Sequence, residues 1–391
     1  MALKGDLSRR KFLSGTGGAL ALTPMALNRF DLSASMAAAQ SATVIKRKLG
    51  KTDIEIPIVS MGVMNADNPQ VVQESYKLGI RFFDTARGYQ NGRNEEMVGK
   101  VIKDLGVRNQ VYIQTKGHAR PVKQATVEER KRALLDEISQ SLAALQMDYV
   151  DIYIIHGPTV DQLTDPPVKE ALAEIKKQKK ARYVGVSTHM DQANVINAAV
   201  KEGIYDAITT SFNFTMAQDT ALMNAIKNAA KAGVGIIAMK SQATGRGQTG
   251  QVNQTAALKW VLRNPEITTA IPGYTNFDHM KEDFSVVSSL DFTNEEKKFL
   301  AEKNLQASVQ FCRQCETCRP TCPNGVDIPT LMRTHMYAAK YGNFVHARAT
   351  LDEIAADASL KNCTDCSDCN AKCANYVSIA GNIRDLKAMY L

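Results

Sequence analysis

The stretch DIYIIHGP, residues 151–158, is an apolar run that ends in a histidine, a glycine and a proline. Because glycine and proline interrupt regular structure, the stretch predicts a short buried strand followed by a loop. Residues 128–145 precede it and include LLDEISQSLAAL, in which apolar residues recur at helical spacing. A helix that leads into a buried strand is the repeating unit of an α/β fold.

The same alternation continues on both sides of this stretch, over about 250 residues. Short β-branched runs are separated by longer amphipathic stretches, of which residues 219–232 are another clear example. Eight strand–helix repeats favour a (β/α)8 TIM barrel over an open sheet, and we assign the barrel to residues 44–305. The predicted strands are residues 58–61, 81–85, 111–116, 151–156, 183–187, 207–210, 235–239 and 268–271.

Ionisable side chains stand at consecutive predicted strand ends. In a TIM barrel such positions share the C-terminal face, where the chemistry of the fold is located. Taken singly, each has a structural interpretation: a plain ion pair, a loop aromatic or a capping histidine. Their recurrence in order favours a catalytic site instead. The residues are Asp84 and Tyr89 in FFDTARGY, Lys116 in VYIQTKGH and His156 in the opening stretch.

Most of residues 45–290 resembles the aldo-keto reductases. The resemblance implies a TIM barrel that uses a nicotinamide dinucleotide, NADP or NAD, to reduce the carbonyl group of a small molecule. The motifs that carry it are RKLGKTDIEIPIVSMG, FFDTARGY, RNEEMVGKVI, VYIQTKG, SLAALQMDYVDIYIIHGP, ARYVGVSTH and TTAIPGYTN.

The family's catalytic tetrad falls on Asp84, Tyr89, Lys116 and His156. The resemblance implies that Tyr89 is the general acid that protonates the alkoxide left by hydride transfer. A nearby Lys116 ammonium is expected to lower the pKa of that tyrosine, and Asp84 to hold the ammonium in place. His156 is expected to donate a hydrogen bond to the carbonyl oxygen.

Residues for the cofactor also follow from the resemblance. His279 stands where NADPH-preferring members often have an arginine for the 2′-phosphate, so the choice between NADP and NAD stays open. Lys240 or Lys281 is an alternative source of that positive charge. The implied cofactor-binding residues are Ser187, Thr188, Met239, Lys240, Gly273 and Tyr274.

All eight cysteines lie in two runs near the C-terminus, FCRQCETCRPTCP and NCTDCSDCNAKCA. Their C-x₂-C-x₂-C-x₃-C spacing is that of bacterial 4Fe–4S ferredoxins, in which the fourth cysteine of each run ligates the other cluster. The spacing therefore predicts two 4Fe–4S clusters with crossed ligation. One cluster is bound by Cys312, Cys315, Cys318 and Cys373, and the other by Cys363, Cys366, Cys369 and Cys322.

Three alternatives compete with the two clusters: zinc sites, disulfides, or a single cluster, since Ala374 replaces the proline that follows Cys322 in the first run. Residues 326–342 and 344–357, between the runs, are predicted to be helical and to separate at Gly342. Residues 306–391 thus resemble an α-helical ferredoxin-type domain. His335 and His346 are expected on the helix surface rather than as ligands.

Residues 1–40 are predicted to be a targeting segment rather than part of the fold. The sequence SRRKFL at residues 8–13, followed by a short apolar stretch and small residues, resembles a twin-arginine signal that exports folded proteins to the periplasm or cell envelope. Beyond that segment no apolar run is long enough for a membrane span, so we expect membrane contact only if the signal is uncleaved. The net charge of +8 is spread along the chain and predicts no nucleic-acid binding.

Two functions are consistent with this sequence. The first is an aldo-keto reductase whose clusters transfer electrons or serve as structure, with a redox partner protein docking near them. A nicotinamide delivers two electrons as hydride whereas a cluster accepts one, so direct coupling would need a further carrier. The second is an exported iron–sulfur electron-transfer protein in which the barrel is a non-catalytic scaffold.

Overall fold

The structure is a computed structural model that describes residues 43–118, 126–243, 252–302, 309–364 and 369–391. The predicted signal peptide, residues 1–40, lies outside these ranges, as does Cys366. No helix among the described residues is both long enough and apolar enough to cross a bilayer.

Eight parallel strands form one continuous sheet in which each strand pairs with the next along the chain. Bridges from Val59 to Ala270 and from Gly62 to Gly273 join the first strand to the last and close the sheet into a barrel. The predicted (β/α)8 fold is thereby confirmed. The strands are β3 (Met61–Gly62), β4 (Phe82–Asp84), β5 (Tyr112–Gly117), β6 (Val150–His156), β7 (Ala181–Thr188), β8 (Ala207–Ser211), β9 (Gly235–Met239) and β10 (Thr269–Ala270).

A short antiparallel hairpin of β1 (Lys46–Lys48) and β2 (Glu55–Pro57) precedes the barrel. Its Leu49 is fully buried in one cluster with inward-facing residues of the barrel strands. A Cβ atom at Gly235, where β9 begins, would lie 2.4 Å from the Leu49 side chain. The glycine therefore leaves the space into which the hairpin packs, at the end of the barrel opposite the predicted site.

Helices surround the barrel and bury their apolar faces against the strands. The predicted helices at 128–145 and 219–232 are confirmed, and the first of them begins with a capping box between Thr126 and Glu129. The ten α-helices described around the barrel are Pro69–Leu78, Arg93–Leu105, Val127–Leu145, Val160–Thr164, Pro166–Lys177, Gln192–Glu202, Thr220–Lys231, Gln254–Leu262, Phe277–Phe284 and Asn294–Leu300.

The C-terminal region contains the helices Ile328–His335, Phe344–Asp352 and Ile379–Tyr390. The first continues as a single π-helical turn, and the predicted break follows at Gly342, whose φ of 66° suits glycine. The third helix was not among the predictions. These helices share a small apolar core with six of the seven described cysteines, the exception being the exposed Cys315.

The C-terminal helices pack against the C-terminal face of the barrel. Asn343 caps the helix Phe344–Asp352 and also donates hydrogen bonds to Asn65 Oδ1 at 3.0 Å and to the Met64 carbonyl at 3.3 Å. Tyr337 and Ala347 lie in one buried cluster with Tyr89 of the barrel. The helical region therefore covers the end of the barrel at which the sequence predicts catalysis.

Candidate active site

A buried ion pair joins the ends of two neighbouring strands. Lys116 Nζ lies 2.6 Å from Asp84 Oδ1 and 2.7 Å from the carbonyl oxygen of Thr85. Gln114 donates a further hydrogen bond of 2.6 Å to the same Asp84 oxygen. Both charged side chains are almost completely buried, so each depends on the other to remain charged.

Tyr89 lies at the start of a short 3₁₀ turn that follows β4. The next residue, Gln90, has a positive φ of 51°, and its side-chain amide donates to the carbonyls of Met64 and Ala66. These bonds fix the turn on the rim of the barrel. The Lys116 ammonium stands 4.9 Å from the centre of the Tyr89 ring, and the His156 ring meets it edge-on at 6.0 Å.

The four residues of the predicted tetrad therefore lie together, but the electrostatics of Tyr89 differ from the sequence prediction. Burial raises the pKa of Tyr89 well above its usual value, and the nearby Asp84 carboxylate raises it further. The predicted net lowering of this pKa is therefore wrong, since the net shift is upward. Asp84 neutralises the Lys116 charge at a distance of 2.6 Å. The loss of solvation of the Tyr89 phenolate is therefore the largest influence on its pKa.

His156 is a neutral imidazole in this site. Burial lowers its pKa well below the usual value, and the neighbouring His118 and Lys116 lower it further. The His118 ring lies 4.8 Å from it, and His156 Nδ1 is buried without a hydrogen-bond partner. A neutral imidazole with an unused nitrogen is suited to bind a polar ligand atom.

Three half-buried histidines give a testable pH dependence of stability. Burial lowers the pKa of His156 and His189 strongly and that of His346 to about 3. The unfolded chain binds these protons near pH 6.5, so the free energy of unfolding should fall as the pH drops below that value. The upper limit is about 1.4 kcal/mol per pH unit for each histidine. Denaturation at pH 7 and pH 5 should show a smaller loss for His189→Gln than for the natural protein, and equal losses would contradict this.

A cavity of about 120 Å³ opens beside the tetrad at the C-terminal end of the barrel. Of the predicted cofactor residues, Met239, Lys240 and Gly273 line it, together with His279. The Ser241 hydroxyl, which the sequence analysis did not single out, is buried there without a hydrogen-bond partner.

The other predicted cofactor residues do not line this cavity. The Ser187 hydroxyl accepts a hydrogen bond from the Gly157 N–H at 3.3 Å, and the Thr188 hydroxyl donates to the Met190 carbonyl at 2.6 Å. Tyr274 is completely buried in the core around the barrel. The structure therefore separates the six predicted cofactor residues into two groups.

The C-terminal helices supply cavity residues that sequence reasoning missed. Tyr337, Tyr341 and His346 line the same cavity from that side. The Lys240 ammonium stands 4.9 Å from the Tyr337 ring centre and 5.1 Å from that of Tyr341, two cation–π distances. The spacing of four between the tyrosines places them on one helix face, a signal that could have indicated a shared surface.

The expectation that His335 and His346 lie on the helix surface is wrong. His335 is buried, and its Nε2 lies 2.9 Å from Asp385 Oδ2 on the last helix. His346 packs edge-on against Tyr89 with 5.5 Å between ring centres. Both helices are covered on those faces, His335 by the last helix and His346 by the barrel, which a single-helix pattern does not reveal.

A second cavity, of about 350 Å³, borders Tyr89 and His156 together with His346. Its volume is within the range of about 300–1,000 Å³ that is typical of ligand pockets. Its other lining residues are Gly88, His118, Ala349, Asp352 and Glu353. Tyr89 and His156 thus border two cavities, one with the predicted cofactor residues and one without them.

Cysteines from both runs lie close together in the C-terminal region. Asn375 links the runs, because its backbone N–H donates to Cys373 Sγ at 3.3 Å and its side chain to Cys315 Sγ at 3.5 Å. Burial raises the pKa of Cys312 to about 12, and the neighbouring Cys373, Cys318 and Cys315 thiols contribute to that rise. The predicted quartet of Cys312, Cys315, Cys318 and Cys373 is therefore drawn together.

The second predicted quartet is described only in part, because Cys366 lies outside the described residues. Two other members of this quartet, Cys322 and Cys363, precede segments that are in contact. Asn324 donates a hydrogen bond of 3.0 Å to the Thr364 carbonyl and so connects these two segments. Within the described ranges, no three histidine, cysteine or carboxylate side chains are grouped to hold a single metal ion. The first quartet brings four thiols into one neighbourhood, and this donor set with its spacing along the sequence fits an iron–sulfur cluster.

Comparison with known proteins assigns both parts of the chain. Residues 61–255 match the aldo/keto reductase family, and residues 311–378 match the 4Fe–4S dicluster domain. The chain contains an aldo/keto reductase domain followed by a 4Fe–4S dicluster domain. The first of these is an oxidoreductase domain, and its match begins at β3 and ends within the helix Gln254–Leu262.

Curated relatives of the aldo/keto reductase domain carry oxidoreductase names. An uncharacterized oxidoreductase of Bacillus subtilis, YqkF, is 33% identical over 43% of this chain, and the match spans about half, 56%, of that protein. L-galactose dehydrogenase of Arabidopsis thaliana is 26% identical over 66% of this chain and 92% of its own length.

Solved structures share the barrel fold. The holo form of an aldo-keto reductase from Bacillus halodurans superposes with a TM-score of 0.55 and 23% identity, over 66% of this chain and 95% of its own. An aldo/keto reductase from Klebsiella pneumoniae, solved with NADP and acetate, superposes with a TM-score of 0.51 and 19% identity. That match covers 66% of this chain and 94% of the other. Both matches leave about a third of the present chain unaccounted for.

Proposed function

We propose that the barrel reduces the carbonyl group of a small molecule, or oxidises the corresponding alcohol, with a nicotinamide dinucleotide as the hydride carrier. The observation that carries the proposal is the position of Tyr89. Its ring lies beside the buried Asp84–Lys116 pair and the neutral His156, and it borders both cavities. One cavity would hold the cofactor and the other the substrate.

The smaller cavity offers groups that suit a dinucleotide. The unpartnered Ser241 hydroxyl and the Lys240 ammonium line its wall, where they would contact amide or phosphate oxygens. Gly62 and Gly273 keep another part of the wall free of side chains, and a Cβ atom at Gly62 would lie 2.8 Å from the Ile271 carbonyl. Because the enclosed volume is only about 120 Å³, it suits the head of the cofactor rather than the whole molecule.

The residues of the chain have distinct roles in this proposal. A bound nicotinamide supplies the hydride that reduces the carbonyl carbon. His156 donates a hydrogen bond that orients the carbonyl oxygen, and Tyr89 gives its proton to that oxygen as negative charge develops. The high pKa of Tyr89 keeps the hydroxyl protonated until then, and an alkoxide is basic enough to take the proton. Lys116, held by Asp84, stabilises the phenolate that remains.

The cysteine quartets, in our proposal, bind two 4Fe–4S clusters with the crossed ligation predicted from the sequence. The contact of Asn375 with sulfur atoms of both runs supports the first quartet. We also propose that the SRRKFL motif directs export of the folded, cluster-loaded protein by the twin-arginine route. A redox partner would reach the first cluster at Cys315, the exposed member of its quartet.

Deuterium transfer tests the proposed reaction directly. Anaerobically purified protein is mixed with NADPH or NADH deuterated at C4 of the nicotinamide and with a panel of small aldehydes and ketones. We expect deuterium on the former carbonyl carbon of the product, detected by mass spectrometry. Absence of both nicotinamide binding and deuterium transfer would refute the proposal and favour an electron-transfer protein with a non-catalytic barrel.

A further inference from the structure

The dicluster domain contributes a side chain to the barrel site. The His346 ring meets the Tyr89 ring edge-on, at 5.5 Å and 88°, an arrangement similar to that of His156 at 6.0 Å and 85°. Tyr89 is therefore flanked by two imidazoles, one from the barrel and one from the C-terminal helices. His346 borders both the smaller and the larger cavity.

The position of His346 is fixed by hydrogen bonds to the barrel. Its backbone N–H donates to Asn343 Oδ1 at 3.0 Å, and the Asn343 amide donates to Asn65 Oδ1 at 3.0 Å. Thr350 holds the helix from within by donating to the His346 carbonyl at 2.9 Å. On the other side, the Tyr337 ring lies 4.5 Å from the imidazole. A side chain held in this way is preorganised for binding.

His346 also carries an unused hydrogen-bonding atom. Its Nδ1 is buried and has no partner in the structure. Burial, followed by the nearby charges of Lys240 and Arg333, lowers the pKa of this imidazole to about 3, so it is neutral under physiological conditions. An unsatisfied buried polar atom costs about 1–3 kcal/mol, which a ligand atom bonded to it would recover.

We infer that His346 is a substrate-binding residue of the barrel site, and that it selects carbonyl compounds with an oxygen atom on the carbon next to the carbonyl. The inference rests on the proposed reductase function. His156 and His346 border the same two cavities, so a substrate whose carbonyl oxygen is bonded to His156 can present a hydroxyl or second carbonyl on the next carbon to His346. The larger cavity, bordered by His118, Asp352 and Glu353, is polar enough for such a substrate.

Hydroxyacetone and acetone provide the test, because they differ by a single oxygen atom at the proposed position. The ratio of their kcat/KM values is measured with the natural protein, His346→Leu and His346→Asn. We expect His346→Leu to lower the ratio by about 10- to 100-fold, since one buried hydrogen bond is lost. The His346→Asn variant should restore much of it, because an amide can replace one imidazole nitrogen. Val345→Ala, an exposed neighbour on the same helix, should leave the ratio unchanged.

Binding measurements separate this inference from the reductase proposal. Dissociation constants of both ketones are determined by ligand-observed NMR on the same anaerobic proteins, so turnover is not required. Tighter binding of hydroxyacetone by the natural protein, reduced in His346→Leu, would support the role of His346 even without nicotinamide activity. Equal affinity of the natural protein for both ketones, or an unchanged ratio in His346→Leu, would overturn it.

Discussion

Replacing Tyr89 with phenylalanine should lower kcat/KM for carbonyl reduction by about 10³-fold, the middle of the range for loss of a general acid. The variant keeps the ring that packs between His156 and His346 and removes only the hydroxyl. The Asp84–Lys116 pair does not depend on that hydroxyl, because Lys116 donates to the Thr85 carbonyl and Asp84 accepts from the Gln114 amide. Folding and cofactor affinity should therefore change little, and the loss should appear in kcat.

Tyr153→Phe is the matched control for this experiment. Tyr153 is a fully buried tyrosine whose hydroxyl has no hydrogen-bond partner, and it packs in the layer between the barrel strands and the helices. Tyr153→Phe also removes a phenolic hydroxyl, but at a position that borders neither cavity. It should therefore leave turnover nearly unchanged. If Tyr89→Phe and Tyr153→Phe gave equal rates, Tyr89 would not be the proton donor.

Replacing Cys373 with serine should abolish one of the two proposed clusters, the one bound by the first cysteine run. Iron per chain in anaerobic preparations should fall from about eight to about four atoms. The reason is spatial: Cys373 belongs to the second run, yet Cys312, Cys315 and Cys318 are its neighbours in the structure. Iron analysis and the visible absorption of the clusters measure the change.

Double variants identify which run shares a cluster with Cys373. Under crossed ligation, Cys312→Ser with Cys373→Ser removes two ligands of one cluster, so the iron content should match that of either single variant. Cys363→Ser with Cys373→Ser should lose both clusters. The reverse pattern would show that each run binds its own cluster, and an iron-free natural protein would remove the iron–sulfur interpretation altogether.

The barrel could be predicted because its signals are local. Each buried parallel strand is a short apolar run, and each of the eight predicted runs overlaps an observed strand. The prediction at residues 58–61 overlaps least, since only Met61 belongs to β3. Strands β4, β5 and β6 follow one another in the sheet, so the residues at their C-terminal ends had to meet. Asp84, Lys116 and His156 were found for this reason.

The tertiary structure alone decided the environment of those residues. Whether Lys116 or burial controls the pKa of Tyr89 depends on solvent exclusion and on the distance from Lys116 to Asp84, and neither is encoded in spacing along the chain. The contact between His346 and Tyr89 joins residues more than 250 positions apart in the sequence. It exists because the dicluster domain packs over the mouth of the barrel, and a pattern within one segment does not reveal which distant segment covers it.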